Sequence, residues 1–472
     1  MEPKLVEQCT LANFGGNLRW QARCYRPRDE PAVLGILARH RGEKIRAFGS
    51  LHSWSDIARV SGVAIDMSLL NSVEPISGGV RVAAGCTLAK LLVELHHATD
   101  STLPTLGAIK RQTISGMIST ATHGSGTPSV SHFVTRVRLA AYDPDGTPKV
   151  LEYAGGDELR AARCALGCMG VILSVDLVTV PKYRVRETIR RLDRVSAALP
   201  LYEAHPLTQF ALVPHAWTVV AWERQRVSPQ AGAHSWLKAL AFRLINAWII
   251  DRAFHWVLIG CVAGGQAAVR ALLKMLPRML LADVARIDDS EHVLTLRHEL
   301  FQHEEMELFV PESKVVQAAE VLENALKVFA GDAASFSPEH EDKLRNEALY
   351  DELIKLRGTH VHHYPIGFRR VLPEDALLSM AGLATEPWFS ISLFTYYGPR
   401  KREAFYAVCS WCARAMYVLF DAKLHWGKHF PPDAPQGARM YPGVERFLKI
   451  VRAADPGGSF RNDFTDRMLR SK

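Results

Sequence analysis

A run of small polar residues restricts the fold of this chain more than any other feature of its sequence. Nine of the fourteen residues at positions 113–126 are glycine, serine or threonine, and apolar segments flank the run. Such residues bury little apolar surface, but they let a backbone lie close to a ligand and offer it amides and hydroxyls. The run lacks the ending of a P-loop and the glycine spacing of a Rossmann turn. A tight loop is the alternative; we favour contact with a ligand that carries phosphate or a ring.

The segments around this run predict an α+β module over roughly the first 180 residues. Apolar, alternating or β-branched segments predict strands at residues 44–48, 63–67, 80–84, 133–142 and 171–180. Leucines at helical spacing predict a helix at residues 87–98. Further along the chain, a strand and an amphipathic helix are predicted within residues 300–330, strands at 361–372 and 389–397, and a helix at 444–454.

Charge and cysteine content exclude several classes of protein. The formal charge of +8 is spread along the chain without a long Lys/Arg block, which argues against nucleic-acid binding. The amino terminus shows no apolar stretch behind a basic leader, so we expect no signal peptide and a cytoplasmic protein. The eight cysteines show no framework spacing and are expected to be reduced thiols. Cys409 with Cys412, and Cys164 with Cys168, lack further zinc ligands and are expected to be buried.

A long apolar stretch occupies residues 236–284. Its longest uncharged part, residues 253–269, is shorter than the about 20 residues that a membrane-spanning helix needs. Basic residues punctuate the stretch, a pattern that helices in a membrane interface share. From the residues alone, two buried helices and two interfacial helices are equally supported.

Residues 46–56 form the first motif with possible chemistry: a strand that enters Gly49 and Ser50 and then presents His52. A glycine here allows backbone amides to approach a diphosphate, and Ser53 and Ser55 add hydroxyls. A histidine after a Gly-Ser turn is common, so the motif alone favours a structural turn.

Three weaker motifs follow. The sequence GCMGVI at residues 167–172 is a glycine turn that enters a strand. His425-Trp-Gly-Lys428 places a lysine and a histidine near an aromatic ring, where they could polarise a substrate oxygen. The third motif, Arg369-Arg370, is most simply explained as the basic edge of a strand.

Strand alternation would put His360 and His362 on one face, but the sequence offers no neighbouring ligand to complete a metal site. No serine-hydrolase elbow or zinc-protease motif is present.

Taken together and in order, these segments resemble the aldonolactone oxidases. This family, within the vanillyl-alcohol-oxidase-type FAD-binding superfamily, includes the gulonolactone and arabinonolactone oxidases. The matching segments are residues 46–56, ISTATHGSG at 118–126, GCMGVI, HWGK and DPGGSFRN at 455–462. The resemblance implies a two-domain α+β flavoprotein of the PCMH type. Its FAD-binding domain would be residues 1–180, its substrate cap 181–424, and residues 425–472 would return to the FAD domain.

The resemblance also assigns roles to individual residues. It implies that FAD is bonded to His52, and that Lys428 and Arg369 face the substrate near flavin N5. His425 is a further candidate for proton transfer, and no metal is expected. The residues implied to contact the cofactor are Ala47, Phe48, Gly49, Ser50, Leu51, His52, Ser53, Ser115, Ser119, Thr122, His123, Gly124, Ser125 and Ile172.

Two positions depart from the family pattern. Leu51 stands where relatives carry a glycine before the linking histidine, so its larger side chain could shift the loop. Gly367 stands where the family's Glu-x-Arg motif has its glutamate, which helps to hold substrate hydroxyls. His362 or His363 could supply a polar group in its place.

The function implied is FAD-dependent oxidation of a CH–OH group of a small alcohol, polyol or sugar lactone, by hydride transfer to flavin N5. Oxygen or another acceptor would reoxidise the flavin. Membrane-associated relatives favour the interfacial interpretation of residues 236–284, and with it a peripheral membrane contact. The alternative is a membrane-associated flavin dehydrogenase that acts on a lipid-linked or larger alcohol, which Gly367 favours. A flavoprotein without catalysis is disfavoured by the presence of His52, Arg369 and Lys428.

Overall fold

The structure is a computed structural model that describes residues 4–231, 254–280, 282–283, 285–296 and 302–470. The strands are β1 Lys4–Ala12, β2 Arg19–Arg26, β3 Ile45–Phe48, β4 Val63–Asp66, β5 Val73–Ile76, β6 Gly79–Ala83, β7 Ser101–Thr102, β8 Val134–Tyr142, β9 Pro148–Tyr153, β10 Val171–Val178, β11 Val180–Pro181, β12 Arg184–Leu192, β13 Gln209–Val213, β14 Thr218–Val227, β15 Ala285–Asp289, β16 Glu304–Pro311, β17 Ile366–Val371, β18 Trp388–Thr395 and β19 Lys423–Leu424. The helices are α1 Glu30–Arg39, α2 Leu88–Ala98, α3 Ile114–Ser119, α4 Gly156–Ala162, α5 Leu201–Ala204, α6 Phe254–Gly264, α7 Gln266–Met279, α8 Ser290–Leu294, α9 Val315–Phe329, α10 Pro338–Asn346, α11 Leu349–Lys355, α12 Glu403–Phe420, α13 Gly437–Met440, α14 Val444–Ala454 and α15 Asp463–Met468.

Two sheets build the amino-terminal part of the molecule. One has the order β1-β2-β4-β3, with β4 parallel to both of its neighbours. The other has the order β5-β6-β10-β8-β9 and is antiparallel. The small polar run begins at Thr113, whose side chain accepts a hydrogen bond from the Gly116 amide and so caps α3. The loop after β3 and the segment at the start of α3 both line one cavity.

An antiparallel eight-stranded sheet forms the second part, in the order β15-β12-β14-β13-β17-β18-β16-β19. Helices α9 and α12 contact β16 on one face of this sheet. Met306 and Leu308 of that strand are buried, and Glu305 and Glu307, which alternate with them, line a cavity on the other face. The sheet thus has one face in the core and one face available to a ligand.

The carboxyl-terminal residues return to the first part of the chain. The Ile45 amide donates to the Ser459 carbonyl (2.9 Å), and Arg46 Nη1 donates to the Phe460 carbonyl (2.7 Å). Asn462 starts α15 with a capping box and also donates to the Arg59 carbonyl at 2.8 Å. The eight-stranded sheet begins at β12 and ends at β19, which is compatible with the division predicted at residues 180/181 and 424/425; that division stays a prediction.

The observed elements agree with most of the patterns. Helix α14 has the predicted bounds, and the strand predicted at 171–180 ends two residues early, at Val178. The stretch 236–284 contains α6 and α7; residues 232–253 lie outside the described part of the chain. Among the described residues, none forms a helix both long and apolar enough to cross a bilayer.

Two expectations were wrong. The strand predicted from residue 361 begins only at Ile366, so His360 and His362 do not share a strand face; both are buried, as is His363. Cys9 and Cys24, on the neighbouring strands β1 and β2, form a disulfide with Cα atoms 6.1 Å apart, so these two cysteines are not reduced thiols. Cys164, Cys168, Cys409 and Cys412 are free and buried, as expected.

Candidate active site

A cavity of about 560 Å³ lies between the loops of the amino-terminal part and the open face of the eight-stranded sheet. The loop after β3 and the run 113–123 line one half. Strands β12–β14, β16–β18 and helix α7 line the other half, together with the segment that carries His425 and Lys428. The predicted site residues in the cavity wall are Ala47, Phe48, Gly49, Ser50, Leu51, His52, Ser53, Ser115, Ser119, Thr122, His123, Ile172, Arg369, His425 and Lys428.

The loop half of the cavity fits a dinucleotide. A Cβ on Gly49 would lie 2.1 Å from Thr113 Oγ1, so the two loops approach each other as closely as a glycine permits. Small residues such as Gly116 and Gly170 leave backbone open to the cavity, and among the described residues no carboxylate lines this half. An anionic diphosphate is therefore not opposed by like charge, which is the requirement that FAD places on this part of the site.

Leu51 has a left-handed backbone conformation, which glycine adopts most readily. Its φ is 54°, in the left-handed region, and its carbonyl accepts from the Phe14 amide at 2.9 Å. Its side chain packs with Trp20 and Val60. This packing offsets the strain of a non-glycine residue, about 1–2 kcal/mol. The larger side chain therefore leaves the loop in a glycine-like conformation.

His52 follows this strained residue and stacks on Phe14, with ring centroids 4.7 Å apart. Burial, reinforced by the cations Arg111 and Lys428, lowers the pKa of His52 to about 4. The imidazole is consequently neutral near pH 7, the state in which one of its nitrogens can form a new bond.

Several hydroxyls of the run 113–126 form hydrogen bonds within the protein. Ser115 and Ser119 line the cavity, but their hydroxyls donate to the carbonyls of Ala84 and Ser115, both at 2.7 Å. Ser125 and Gly124 lie outside the main cavity and line a smaller one behind it. Ser125 donates to the Thr208 carbonyl and accepts from the Arg370 amide, so it joins the two parts of the molecule.

Two predicted cations occupy different electrostatic settings. Lys428 forms an ion pair with the buried Glu305, and its ammonium lies 4.7 Å from the centroid of the Trp54 ring. Arg369 projects from β17 into the cavity, and the described residues give it no ion pair. Arg369 is thus the cation with charge available for a substrate oxygen or anion.

A buried cluster of His123, Glu307 and His425 lies between these cations. His123 Nδ1 contacts the Gly124 carbonyl at 2.9 Å, so this nitrogen carries a proton, and Nε2 lies 3.3 Å from Glu307 Oε1. Burial opposes ionisation of Glu307, yet its histidine and lysine neighbours hold its pKa well below the usual range. The two side chains therefore lie within ion-pair distance of each other.

His425 is neutral with a fixed tautomer. Its Nδ1 accepts from the Gly427 amide at 3.0 Å, and burial lowers its pKa to about 3. The remaining proton is therefore on Nε2. The three side chains bring ligand atoms within 4.8 Å of one another, but a protonated Nε2 cannot coordinate a metal ion. The cluster is suited to hydrogen bonding with a ligand.

The sequence patterns did not identify Glu305 and Glu307. The available signal was the series Glu304-Glu-Met-Glu307 at the start of a strand that is otherwise apolar. Alternating carboxylates in such a strand indicate a polar site on one sheet face. Which strands would flank them could not be deduced without the sheet order.

The part of the cavity wall that the eight-stranded sheet and α7 build carries many apolar side chains, together with polar ones from Gln209, His255, Tyr364 and Tyr396. Glu187, Arg224 and Arg286 also line it, but Glu187 accepts from Arg224 Nε (2.6 Å) and Arg286 Nε (2.8 Å), so its carboxylate is already occupied. The apolar residues of this wall are Ile189, Val213, Val220, Trp222, Leu276, Leu280 and Phe394.

The fold and the site define an FAD-dependent oxidoreductase that acts on CH–OH groups. The family model described as D-arabinono-1,4-lactone oxidase matches residues 175–468, and that described as FAD binding domain matches residues 23–152. The chain belongs to the D-arabinono-1,4-lactone oxidase family.

Relatives within and around this family differ in their named substrates. The chain is 36% identical to a long-chain alcohol oxidase from an uncultured marine euryarchaeote, over 97% of each chain. It is 25% identical to the L-gulonolactone oxidase of Mus musculus, over 94% of each. The crystal structure of cholesterol oxidase from B. sterolicum superposes with a TM-score of 0.71 at 14% identity, over 99% of this chain and 98% of that one. This last likeness concerns the fold alone.

Proposed function

We propose that this FAD-dependent enzyme oxidises the hydroxyl-bearing carbon of an alcohol with a long apolar chain. The observation that carries the proposal is the apolar wall of the substrate half, built by side chains such as Trp222, Val220 and Leu276. Polar side chains such as Gln209 and Tyr364 also line the cavity, but the carboxylate of Glu187, which could hold a sugar hydroxyl, is already engaged by arginines. The likeness to a long-chain alcohol oxidase supports the same substrate class.

The mechanism assigns distinct tasks to the polar residues. When bound, FAD supplies a two-electron acceptor for the hydride that leaves the carbinol carbon. Arg369 would face the substrate oxygen with its unpaired charge, an interaction often worth ~3 kcal/mol in the transition state. His425 would donate its Nε2 proton in a hydrogen bond to the same oxygen. Lys428, neutralised by Glu305, would orient that carboxylate and close the site beside Trp54.

A series of unbranched primary alcohols tests the substrate class. Under anaerobic conditions, bleaching of the flavin spectrum should become more efficient by about fourfold per added CH₂, the equivalent of ~0.8 kcal/mol, until the wall is filled. L-Gulono-1,4-lactone should bleach the flavin far more slowly. Equal or better bleaching by the lactone would overturn the proposal.

Two adjacent residues of α7 provide a matched pair of variants. Leu276 is buried in the cavity wall, whereas Met275 is 58% exposed on the outer face of the helix. Leu276→Asn should raise KM for a C12 alcohol while leaving that for a C4 alcohol nearly unchanged. Met275→Asn should alter neither constant.

The bond between FAD and His52 is also part of the proposal. The neutral imidazole at the cavity wall and the left-handed, glycine-compatible backbone at Leu51 support it. Acid precipitation should give a yellow pellet from the native protein and a colourless pellet from His52→Ala. A colourless native pellet would remove the covalent bond from the proposal and leave FAD binding intact.

A peripheral contact with a bilayer is the last part of the proposal. Trp256, Val257, Met275 and Met279 expose apolar surface on α6 and α7, and Lys274 is exposed beside them. Such a surface suits an anionic lipid interface. The protein should float with vesicles that contain anionic lipid, and Trp256→Ser combined with Met279→Ser should abolish flotation without changing turnover of a soluble C6 alcohol. Unchanged flotation of the double variant would refute the assignment of this surface.

A further inference from the structure

Gly367 opens a gap in the wall of the active site. Its backbone is not left-handed, and a Cβ built on it would lie 3.8 Å from Ser392 Cβ, an ordinary contact. Neither backbone conformation nor crowding requires glycine at this position. The absence of a side chain is therefore a feature of the cavity, and it falls at the place where the family pattern has a carboxylate.

Three residues form a row across the strands at this point. Gly367 of β17 pairs with Ser392 of β18, and Ser392 pairs with Glu307 of β16. Side chains that are paired in this way stand on the same face of a sheet. Gly367 and Glu307 both line the cavity, with Ser392 between them. A carboxylate that extends from Glu307 thus faces the space that a side chain at position 367 would occupy.

The environment of Glu307 leaves one oxygen for a ligand. Ser392 Oγ donates to Oε1 at 3.2 Å, and His123 Nε2 contacts the same oxygen at 3.3 Å. Within the described residues, no hydrogen bond reaches Oε2. Glu307 is 1% exposed, so these contacts hold it in one orientation.

We propose that Glu307 accepts the hydroxyl proton of the substrate and so replaces, from two strands away, the carboxylate missing at Gly367. The inference rests on the proposed oxidation of an alcohol. In the step, the carbinol C–H bond breaks, and its hydrogen would leave with both bonding electrons, as a hydride, to the FAD that the site would hold. The O–H bond breaks and its proton goes to Glu307 Oε2, while the C=O double bond forms. A weakly basic carboxylate suffices, because the hydroxyl proton becomes strongly acidic as the hydride leaves.

A rescue experiment tests this assignment with the FAD-loaded enzyme. Glu307→Gln should lower the rate of anaerobic flavin reduction by a C10 alcohol at least 100-fold. Adding Gly367→Glu to that variant should restore at least 10-fold, because it returns a carboxylate to the same space. Glu374→Gln is the control: Glu374 is a buried carboxylate that accepts from Ser129 and Ser379 outside the cavity.

Binding of a tertiary alcohol separates positioning from chemistry. This ligand has a hydroxyl but no hydrogen on the carbinol carbon, so it perturbs the flavin spectrum without reducing it. Its Kd should rise about tenfold in Glu307→Gln and fall again in the double variant. Full activity of Glu307→Gln, or the absence of rescue by Gly367→Glu in a folded, yellow protein, would overturn the inference. If the native enzyme oxidises no apolar alcohol at all, the proposed function fails instead.

Discussion

Lys428 forms an ion pair with the buried carboxylate of Glu305 beside Trp54, whereas Arg369 lines the same cavity and forms no ion pair with the described residues. Two positive side chains that the sequence treats alike therefore differ in their electrostatic surroundings. Lys428 is neutralised, whereas the guanidinium of Arg369 can respond to negative charge that develops on a substrate oxygen.

Arg369→Met should lower kcat for a long-chain alcohol by about 100- to 1000-fold, which is typical when one donor to a developing oxyanion is lost. Its neighbour provides the control, because Arg370 pairs with Glu312 outside the main cavity at 2.8 Å. Arg370→Met should retain kcat within a factor of three. Similar losses in stopped-flow reduction for both variants would contradict the distinct role of Arg369.

Position 51, just before His52, should tolerate glycine but not a β-branched residue. Leu51 has a φ of 54°, so Leu51→Gly relieves strain but loses half-buried packing. The relief of strain and the loss of packing are each worth about 1–2 kcal/mol and act in opposite directions. Tm should therefore change by only a few degrees. Leu51→Val should lower Tm and FAD content, since a β-branched residue is a rare outlier at positive φ. In-gel flavin fluorescence after denaturation measures the bound fraction in each variant.

Short contiguous motifs in the sequence indicated the loop half of the cavity; which of their residues contact the cofactor stays a prediction. The loop with His52 and the run 113–126 each carry their own turn residues, and both line the cavity. Glu307 was not predictable in the same way. Its relation to Gly367 depends on the order β17-β18-β16, in which strands far apart along the chain become neighbours. Ser125 illustrates the converse: its motif suggested a ligand, yet its hydroxyl bonds to the Thr208 carbonyl.

Buried histidines should make folding sensitive to mild acid. Burial lowers the pKa of His360 to about 4 and that of His363 to about 3, and holds the pKa of His362 well below its usual value. An unfolded chain binds these protons near pH 6.5, so each histidine removes ~1.4 kcal/mol of unfolding free energy per pH unit between 6.5 and its folded pKa. Stability is therefore highest above pH 6.5 and decreases as the pH falls through that range.

Urea unfolding between pH 7 and pH 5 measures this slope. His360→Gln should reduce the slope by about one proton, whatever its effect on stability at pH 7. His96→Gln, at an exposed position of α2, should leave the slope unchanged. An identical slope in His360→Gln and the native protein would show that His360 does not remain neutral in the folded state.

A methyl group at Gly49 should disturb the site through Thr113. The added Cβ would lie 2.1 Å from Thr113 Oγ1, and Thr113 caps the helix whose residues line the cavity. Gly49→Ala should therefore lower the free energy of unfolding by about 1–3 kcal/mol and reduce FAD content. Gly35→Ala is the matched control, because Gly35 lies on the exposed face of α1 with no atom within 4 Å of the added carbon. It should stabilise the protein by about 0.5–1 kcal/mol, as alanine does within helices. In a Thr113→Ala background the penalty at Gly49 should shrink; an undiminished penalty would place the clash elsewhere.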